Sequence, residues 1–397
     1  MSSEVKTGPA KRMDWVDIIK ATSVVLVVLL HVTQSLAFAL DGTFMEGFWN
    51  SVNTFLEPLR MPVFFVVSGV LASSAVKRPW SHTKARTIGI AYLFLLWHTL
   101  LLFSSMAVDL LAKGAIDGGV LGKVQEWFVQ IFITPGGYWY FYALVLYFVL
   151  ARLLRNVNPW LVLAVAASLN LARPLVTSSV NTLLEPLDTS NMMASVALNA
   201  VYFLAGVYLV DMLKDYSLRN DSNMLIGTAT VAVLGSLARM VNPQVAGASF
   251  LPIAAAWVLT AILIAVRLQD NERVVAFGRY VGPRTLPIFV IQFVVLDGVY
   301  AWFGLTGGTM LDNSPILQAV YPIVTTLAIT AGALWLYDLA MRNKTASLLF
   351  KAPATWTARP KPAAVVGEPV PHRTGSLPVI PVERDHRATG ELRAVRL

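Results

Sequence analysis

Cysteine is absent from this chain. That absence excludes disulfides, thiolate nucleophiles and cysteine-ligated zinc or iron–sulfur sites. Charge is scarce too: Asp, Glu, Lys and Arg make up 14% of 397 residues against 56% hydrophobic, and mean hydropathy is +0.62. A soluble domain carries charge on about a quarter of its residues, so an ordinary soluble fold is excluded. The composition implies an all-α, polytopic integral membrane protein. With five histidines and no thiol, chemistry falls to His, carboxylates, hydroxyls or a bound cofactor, and no metal is expected. The net charge of +8 raises nucleic acid as a partner. The basic residues, however, are placed as membrane orientation would place them, and no nucleic acid is expected.

Hydropathy predicts about ten spans, near 17–40, 52–76, 88–111, 138–154, 158–174, 194–212, 223–241, 249–267, 285–304 and 315–339. The less apolar piece 120–134, ending Thr134-Pro135-Gly136-Gly137, reads as an interfacial or half-membrane helix. One side collects Lys6, Lys11, Arg12, Lys77, Arg78, Lys84, Arg86, Arg152, Arg155, Lys214, Arg219, Arg267, Arg273, Arg279, Arg284, Arg342 and Lys344. The other collects Lys113, Lys123, Arg173 and Arg239. This bias predicts cytoplasmic N- and C-termini and a plasma or inner membrane location. The basic start and long first apolar run lack a small-residue cleavage site, so no signal peptide is expected. Residues 1–12 read as a cytoplasmic segment, 13–350 as the membrane domain, and 351–397 as a disordered cytoplasmic tail rich in Pro, Arg, Ala and Val. The tail has the composition of a high-GC actinobacterial protein and offers a surface for envelope-assembly partners or a second copy. No internal repeat is visible.

The stretch from Arg12 to His31 carries the first chemistry. It is almost wholly apolar yet holds Asp17, Lys20 and His31, each costing at least about 2.5–3.5 kcal/mol at a bilayer centre. At about 100° and 1.5 Å per residue, Lys20 and His31 fall within roughly 20° on one helix face and about 16 Å apart along it. Asp17 stands one turn before Lys20, in reach of it. The competing reading is that Asp17 and Lys20 are interfacial and Lys20 snorkels to the surface. His31, about 21 Å beyond Asp17, belongs in the outer half of the membrane.

The second span reads R-M-P-V-F-F-V-V-S-G-V-L from Arg60 to Leu71. Pro62 removes a backbone donor, and Ser68-Gly69 admits close approach of another helix, so a kinked packing helix explains most of it. Arg60 needs an acceptor or an anion, and Glu57 one turn earlier is the expected partner.

D-I-I-K-x10-H in the first span, M-P-V-F-F-V-V-S-G in the second, K-R-P-W-S-H-T-K-A-R after it, G-Y-W-Y-F-Y-A-L at 137–144 and G-P-R-T-L-P-I-F-V-I-Q at 282–292 together resemble the membrane-bound acyltransferase 3 family. The likeness runs from residue 12 to about 345, leaves the tail unexplained, and is nearest the stand-alone sugar O-acetyltransferases. It implies transfer of acetyl, or another short acyl group, from acyl-CoA at the cytoplasmic side to a hydroxyl of an envelope glycan or glycolipid. A mycolyl-trehalose lipid and a cell-wall or capsular sugar are equal candidates for the acceptor. Lys20 and His31 match the motif's basic residue and proposed catalytic histidine. Arg78, Lys84 and Arg86 match the family's basic stretch. The chain departs from the family in having Lys at position 20 where Arg is common, Arg60 where many relatives have His, and Phe289 and Gln292 where Tyr-x-x-His is usual.

Physical chemistry points the same way. The loops 77–86 and 267–284, with Arg78, Lys84, Arg86 and Arg284, suit the phosphates of acetyl-CoA, although the positive-inside rule alone produces such clusters. A neutral His31 can take the proton of an acceptor hydroxyl as attack begins. The developing oxyanion needs a donor, for which Lys20, Arg60, Gln292 and Tyr142 compete, while Gln292 equally reads as an interhelical packing amide. Trp139 and its aromatic neighbours would mark the membrane interface or stack on a sugar ring. His82 reads as a surface residue, His372 and His386 belong to the tail, and His98 beside Trp97 reads as a packing or hydrogen-bonding group. The rival from another class is a proton-coupled transporter or flippase using Asp17, Lys20 and His31 as a relay. It is disfavoured because these groups line one helix rather than two halves of a repeat.

The two readings of Lys20 separate by substitution. A channel-facing Lys20 opposite Asp17 makes Lys20→Arg active and Lys20→Gln inactive in acetyl-CoA turnover at matched protein level; a snorkelling one makes both variants mild.

Overall fold

In the computed structural model, the described residues are 13–35, 43–133, 136–187, 192–242, 247–306 and 314–357. The expectations for Lys6, Lys11, Arg12, Thr134, Pro135, His372, His386 and the tail from 358 on lie outside them, as does the side chain of His82.

Among the described residues all regular structure is helical, in keeping with the all-α expectation. The order is α1 (Asp14–Ser35), α2 (Phe44–Lys77), α3 (Trp80–Lys113), α4 (Gly119–Phe132), α5 (Trp139–Leu153), α6 (Pro159–Leu171) and α7 (Arg173–Leu184). Next come α8 (Met193–Tyr208), α9 (Val210–Arg219), α10 (Ser222–Val241), α11 (Phe250–Arg267), α12 (Glu272–Val281), α13 (Thr285–Thr306), α14 (Pro315–Ala340) and the single turn α15 (Ala354–Thr357). Seven helices in the described residues are long and apolar enough to cross a membrane. The number rises to nine if two sharply bent pairs each count as one span. Those pairs are Pro159–Leu171 with Arg173–Leu187, bent by 76°, and Met193–Tyr208 with Val210–Arg219, bent by 74°; Trp139–Leu153 is a shorter apolar helix. At about 1.5 Å per residue, α6 alone is too short to cross a bilayer core of about 30 Å. Arg173 stands at the bend after it, next to Pro174.

Helix α2 is the hub. Pro58 and Pro62 interrupt its hydrogen-bond ladder, and beyond them it crosses α8 at a pair of facing glycines. A Cβ on Gly69 would overlap the Phe203 carbonyl, and one on Gly206 would overlap the Val66 carbonyl, so the two backbones touch. This is the close approach that Ser68-Gly69 predicts. Ser68 itself hydrogen-bonds Tyr140 at 2.9 Å. One turn earlier on α2, Phe64 stacks on Tyr140 (4.8 Å between centroids) and Phe65 meets Trp139 and Tyr147. The aromatic run at 138–142 is thus mostly core rather than a membrane-interface belt, since Tyr138, Trp139, Tyr140 and Phe141 are all buried.

The start of α1 is clamped by α12. Asp14 accepts from Arg279 at 2.7 and 2.9 Å. Gly278 and Gly282 lie against the backbone of Ile18 and Asp17, where a Cβ would clash. Helix α4 is amphipathic, with Phe128 and Phe132 exposed, as an interfacial helix would be. The fold does not stop at the composition change near 351. Tyr92 and Trp97 donate to the carbonyls of Leu348 and Leu349 at 2.8 Å, and Trp356 packs edge-on against Tyr92, so residues through Thr357 are docked on α3.

The glycine crossing makes a contrast that thermal unfolding in detergent reads directly. Gly69→Ala and Gly206→Ala should each cost about 1–3 kcal/mol by forcing α2 and α8 apart. Gly227→Ala, whose Cβ meets nothing within 4 Å, should be neutral or stabilising by up to about 1 kcal/mol.

Candidate active site

A cavity of about 360 Å³ opens where α1, α2, α5, α7, α8, α11 and α13 converge. His31 reaches it from α1, Glu57 and Arg60 from α2, Trp139 from the first turn of α5, and Arg173 from the first turn of α7. The His31 ring rests on Phe293 with centroids 4.8 Å apart, and Gln34, one helical turn on, hydrogen-bonds it. Both contacts fix the imidazole orientation, which a proton-transfer group requires.

Arg60 is only 4% exposed. Glu57 attracts it through space, as expected, but the hydrogen bonds go elsewhere: its guanidinium donates to Asn53 twice, to the side-chain oxygen at 3.0 Å and to the carbonyl at 2.9 Å. Asn53 in turn donates to Thr33 at 2.9 Å, so the Arg60 head is tied to α1 two residues past His31. Glu57 is taken by other partners, accepting from Arg239 of α10 at 2.9 Å and facing Arg173 at 3.5 Å. Those two guanidiniums flank the Phe250 ring, at 3.8 and 4.7 Å from its centroid. Two cations share one carboxylate.

The cluster therefore brings three guanidiniums to one carboxylate, a surplus of two positive charges. It also has donors to spare: Nη1 of Arg173 and Nε and Nη1 of Arg239 are buried with no hydrogen-bond partner among the described residues. Buried donors without acceptors are rare, and beside a cavity they favour a ligand that brings oxygen or negative charge.

Of the residues singled out from the sequence, His31, Arg60, Glu57 and Trp139 meet at this cavity. Lys20 and Asp17 do not line it; they lie in the half of α1 packed near α12. Tyr142 turns away toward Phe94 of α3, 6.1 Å between centroids. Gln292 is fully buried outside the cavity lining, its two amide atoms without a partner among the described residues. The four expected phosphate ligands do not converge. Arg78 is exposed, with its carbonyl accepting from Arg152, and Lys84 is half-buried. Arg86 turns inward to the Leu71 carbonyl at 3.0 Å, and Arg284 pairs with Asp338 at 3.2 Å while stacking on Tyr280.

Gln34, Asn53, Arg173, Arg239 and Phe250 went unnoticed in the sequence. A signal for two of them was present, since Arg173 and Arg239 are half of the four cations that break the basic bias. Among the described residues no group of three or more His, Asp or Glu is arranged to hold a metal ion.

The family model for the acyltransferase domain of the acyltransferase 3 family matches residues 13–338. The chain belongs to this family. It is a membrane acyltransferase, and the matched region takes in α1 through nearly all of α14, including every residue named at the cavity. No curated protein and no solved structure matches the chain. Family membership favours group transfer over carriage of an unmodified substrate, and His31 of the D-I-I-K-x10-H motif is the motif residue that reaches the cavity.

The Glu57 cluster sets a second measurable expectation. Glu57→Gln leaves Arg239 and Arg173 without a counter-charge; with Glu57 half-exposed, the loss should lie between that of surface and buried pairs, roughly 1–3 kcal/mol. Unfolding midpoints of Glu57→Gln and of Glu57→Gln with Arg239→Met test it, the second change restoring part of the loss.

Proposed function

We propose that the protein moves an acetyl or other short acyl group from acyl-CoA, entering from the cytoplasmic side, to a hydroxyl of an envelope glycan or glycolipid. The observation that carries this reading is the cavity itself. It joins one oriented histidine to a surplus of guanidinium donors and a Trp face, within about the 300–1,000 Å³ range of small-molecule sites.

In this reading the acceptor hydroxyl lies against His31, which takes its proton as the oxygen attacks the thioester carbonyl. The carbonyl oxygen gains negative charge, and Arg60, held by Asn53, is preorganised to receive it. Collapse expels the CoA thiolate, which recovers the proton from His31, leaving an ester and a free thiol. Trp139, at the cavity wall, offers a face for a sugar ring.

A second, apolar cavity of about 170 Å³ lies between α1, α2 and α11, lined by Ile19, Thr22, Leu26, Val63, Trp257 and Ile264 among others. On α1 it ends at Leu26, next to Val27 of the His31 cavity. Its apolar walls, with the hydroxyls of Thr22, Ser23 and Thr260 among them, suit the thin arm that carries the thioester, whose methylenes alternate with two amides, with the CoA phosphates left outside near Arg78 and Lys84. Acetyl as the group, acyl-CoA as donor, and a sugar or mycolyl-trehalose hydroxyl as acceptor all belong to this proposal.

The test is single-site. His31→Ala should purify and elute like the unaltered protein yet lose on the order of 10²–10⁴ in acceptor-dependent release of CoA from acetyl-CoA. Near-normal turnover in a well-folded His31→Ala protein would remove the base from the mechanism.

A further inference from the structure

A second polar cavity, of about 180 Å³, lies between α3, α4 and α13 and plays no part in the chemistry above. His98, Ser105, Lys123, Glu126, Trp127 and Asp297 carry its polar lining. His98 is 3% exposed. Its Nδ1 has no hydrogen-bond partner among the described residues, and neither do Trp127 Nε1 and Asp297 Oδ2. Asp297 is held through Ser104, and Glu126 accepts from Gln130 at 2.7 Å. Lys123 is pinned by Asp109 at 3.0 Å, with Lys113 at 3.2 Å on the same carboxylate, and this network anchors α4 on the end of α3.

The unmet groups are of mixed kind: a donor that can only donate, a carboxylate oxygen that can only accept, and an imidazole nitrogen. An anion would face Asp297 and Glu126, and the cation nearest at hand is already neutralised by Asp109. A hydroxyl both donates and accepts, so a set of neighbouring hydroxyls satisfies all three at once.

Only one wall separates this cavity from the first. His31 lies 4.8 Å from Phe293, Phe293 lies 5.0 Å from Tyr138, and Tyr138 lies 6.2 Å from His98, centroid to centroid. The Gly136-Gly137 step runs along that wall. A Cβ on Gly136 would press on the Gln130 side chain of the second cavity, and one on Gly137 on Phe293 of the first. Neither glycine carries a side chain to thicken that wall.

We propose that the α3–α4–α13 cavity is a carbohydrate subsite that holds a ring of the acceptor neighbouring the one acylated at His31. This rests on the sugar-hydroxyl reading of the acceptor and makes that acceptor at least a disaccharide. Asp297, Trp127 and His98 then determine specificity without touching the reacting atoms.

Because the chain has no cysteine, a single introduced thiol reports on occupancy without turnover. The probes are methyl glucoside and a panel of neutral disaccharides added to purified Ser105→Cys protein, with Leu102→Cys as a second reporter and Gly227→Cys as a control outside the cavity. A disaccharide should slow maleimide labelling at 105 and 102 at lower concentration than methyl glucoside does, and leave position 227 unchanged. Asp297→Asn or Trp127→Phe in the reporter background should raise the half-protecting concentration about tenfold, the effect of one lost buried hydrogen bond. Equal labelling with and without every sugar, or protection indifferent to both substitutions, overturns the subsite. Protection by an organic amine and not by neutral sugars makes it a cation site instead. Protection by sugar in a protein with no acyl transfer would keep the subsite while failing the acyltransfer reading, so the two fail separately.

Discussion

Glu57 is the charge on which the interior of this protein depends. A guanidinium taken out of water costs several kcal/mol unless a counter-charge or well-placed acceptors meet it. Arg239 of α10 and Arg173 of α7 both find theirs in the one carboxylate on α2, and Phe250 fills the space between them. The bend after α6 falls where Pro174 opens α7, and Arg173 beside that proline faces Glu57. With Glu57 committed, Arg60 is left to Asn53, and through Asn53 to Thr33, which sets the guanidinium beside α1 near the level of His31.

Packing gives these polar contacts their precision. The glycine-to-glycine crossing of α2 and α8 locks the hub helix against a neighbour with backbone in contact. The aromatic block of Phe64, Phe65, Tyr138, Tyr140, Phe289 and Phe293 then fills the space to α5 and α13. Rings packed against rings have few alternative rotamers, so a histidine resting on Phe293 inherits their rigidity. Rigidly held donors and bases are what lower a charge-developing barrier, because no reorganisation is required as the reaction proceeds.

The four basic residues that depart from the general basic bias divide between the two polar cavities. Arg173 and Arg239 stand with Glu57 by the His31 cavity, while Lys113 and Lys123 share Asp109 at the end of α3, and Lys123 also lines the His98 cavity. Each pair shares one carboxylate, Glu57 from a helix distant in sequence and Asp109 from the end of α3, so each marks a place where the fold brings polar groups together. The bias along a membrane chain speaks of orientation, and its exceptions here lie where polar groups gather.

Much was legible in the sequence. Scarce charge, long apolar runs and the absence of cysteine determine an all-helical membrane protein, because a bilayer leaves backbone groups no other partners than those within a helix. The D-I-I-K-x10-H spacing with its companion motifs points to the acyltransferase 3 family, and His31 and Arg60 stand out because ionisable groups in apolar helices are costly. Partnership was not legible. Arg60 and Asn53 stand two turns apart on one helix, and their pairing was missed although it is local. That Glu57 belongs to Arg173 and Arg239, that Tyr142 and Gln292 turn away, and that Arg284 is already engaged depends on contacts between segments up to 182 residues apart. One sequence read alone carries local period and composition; which distant side chain reaches a given charge first is decided only when the helices pack.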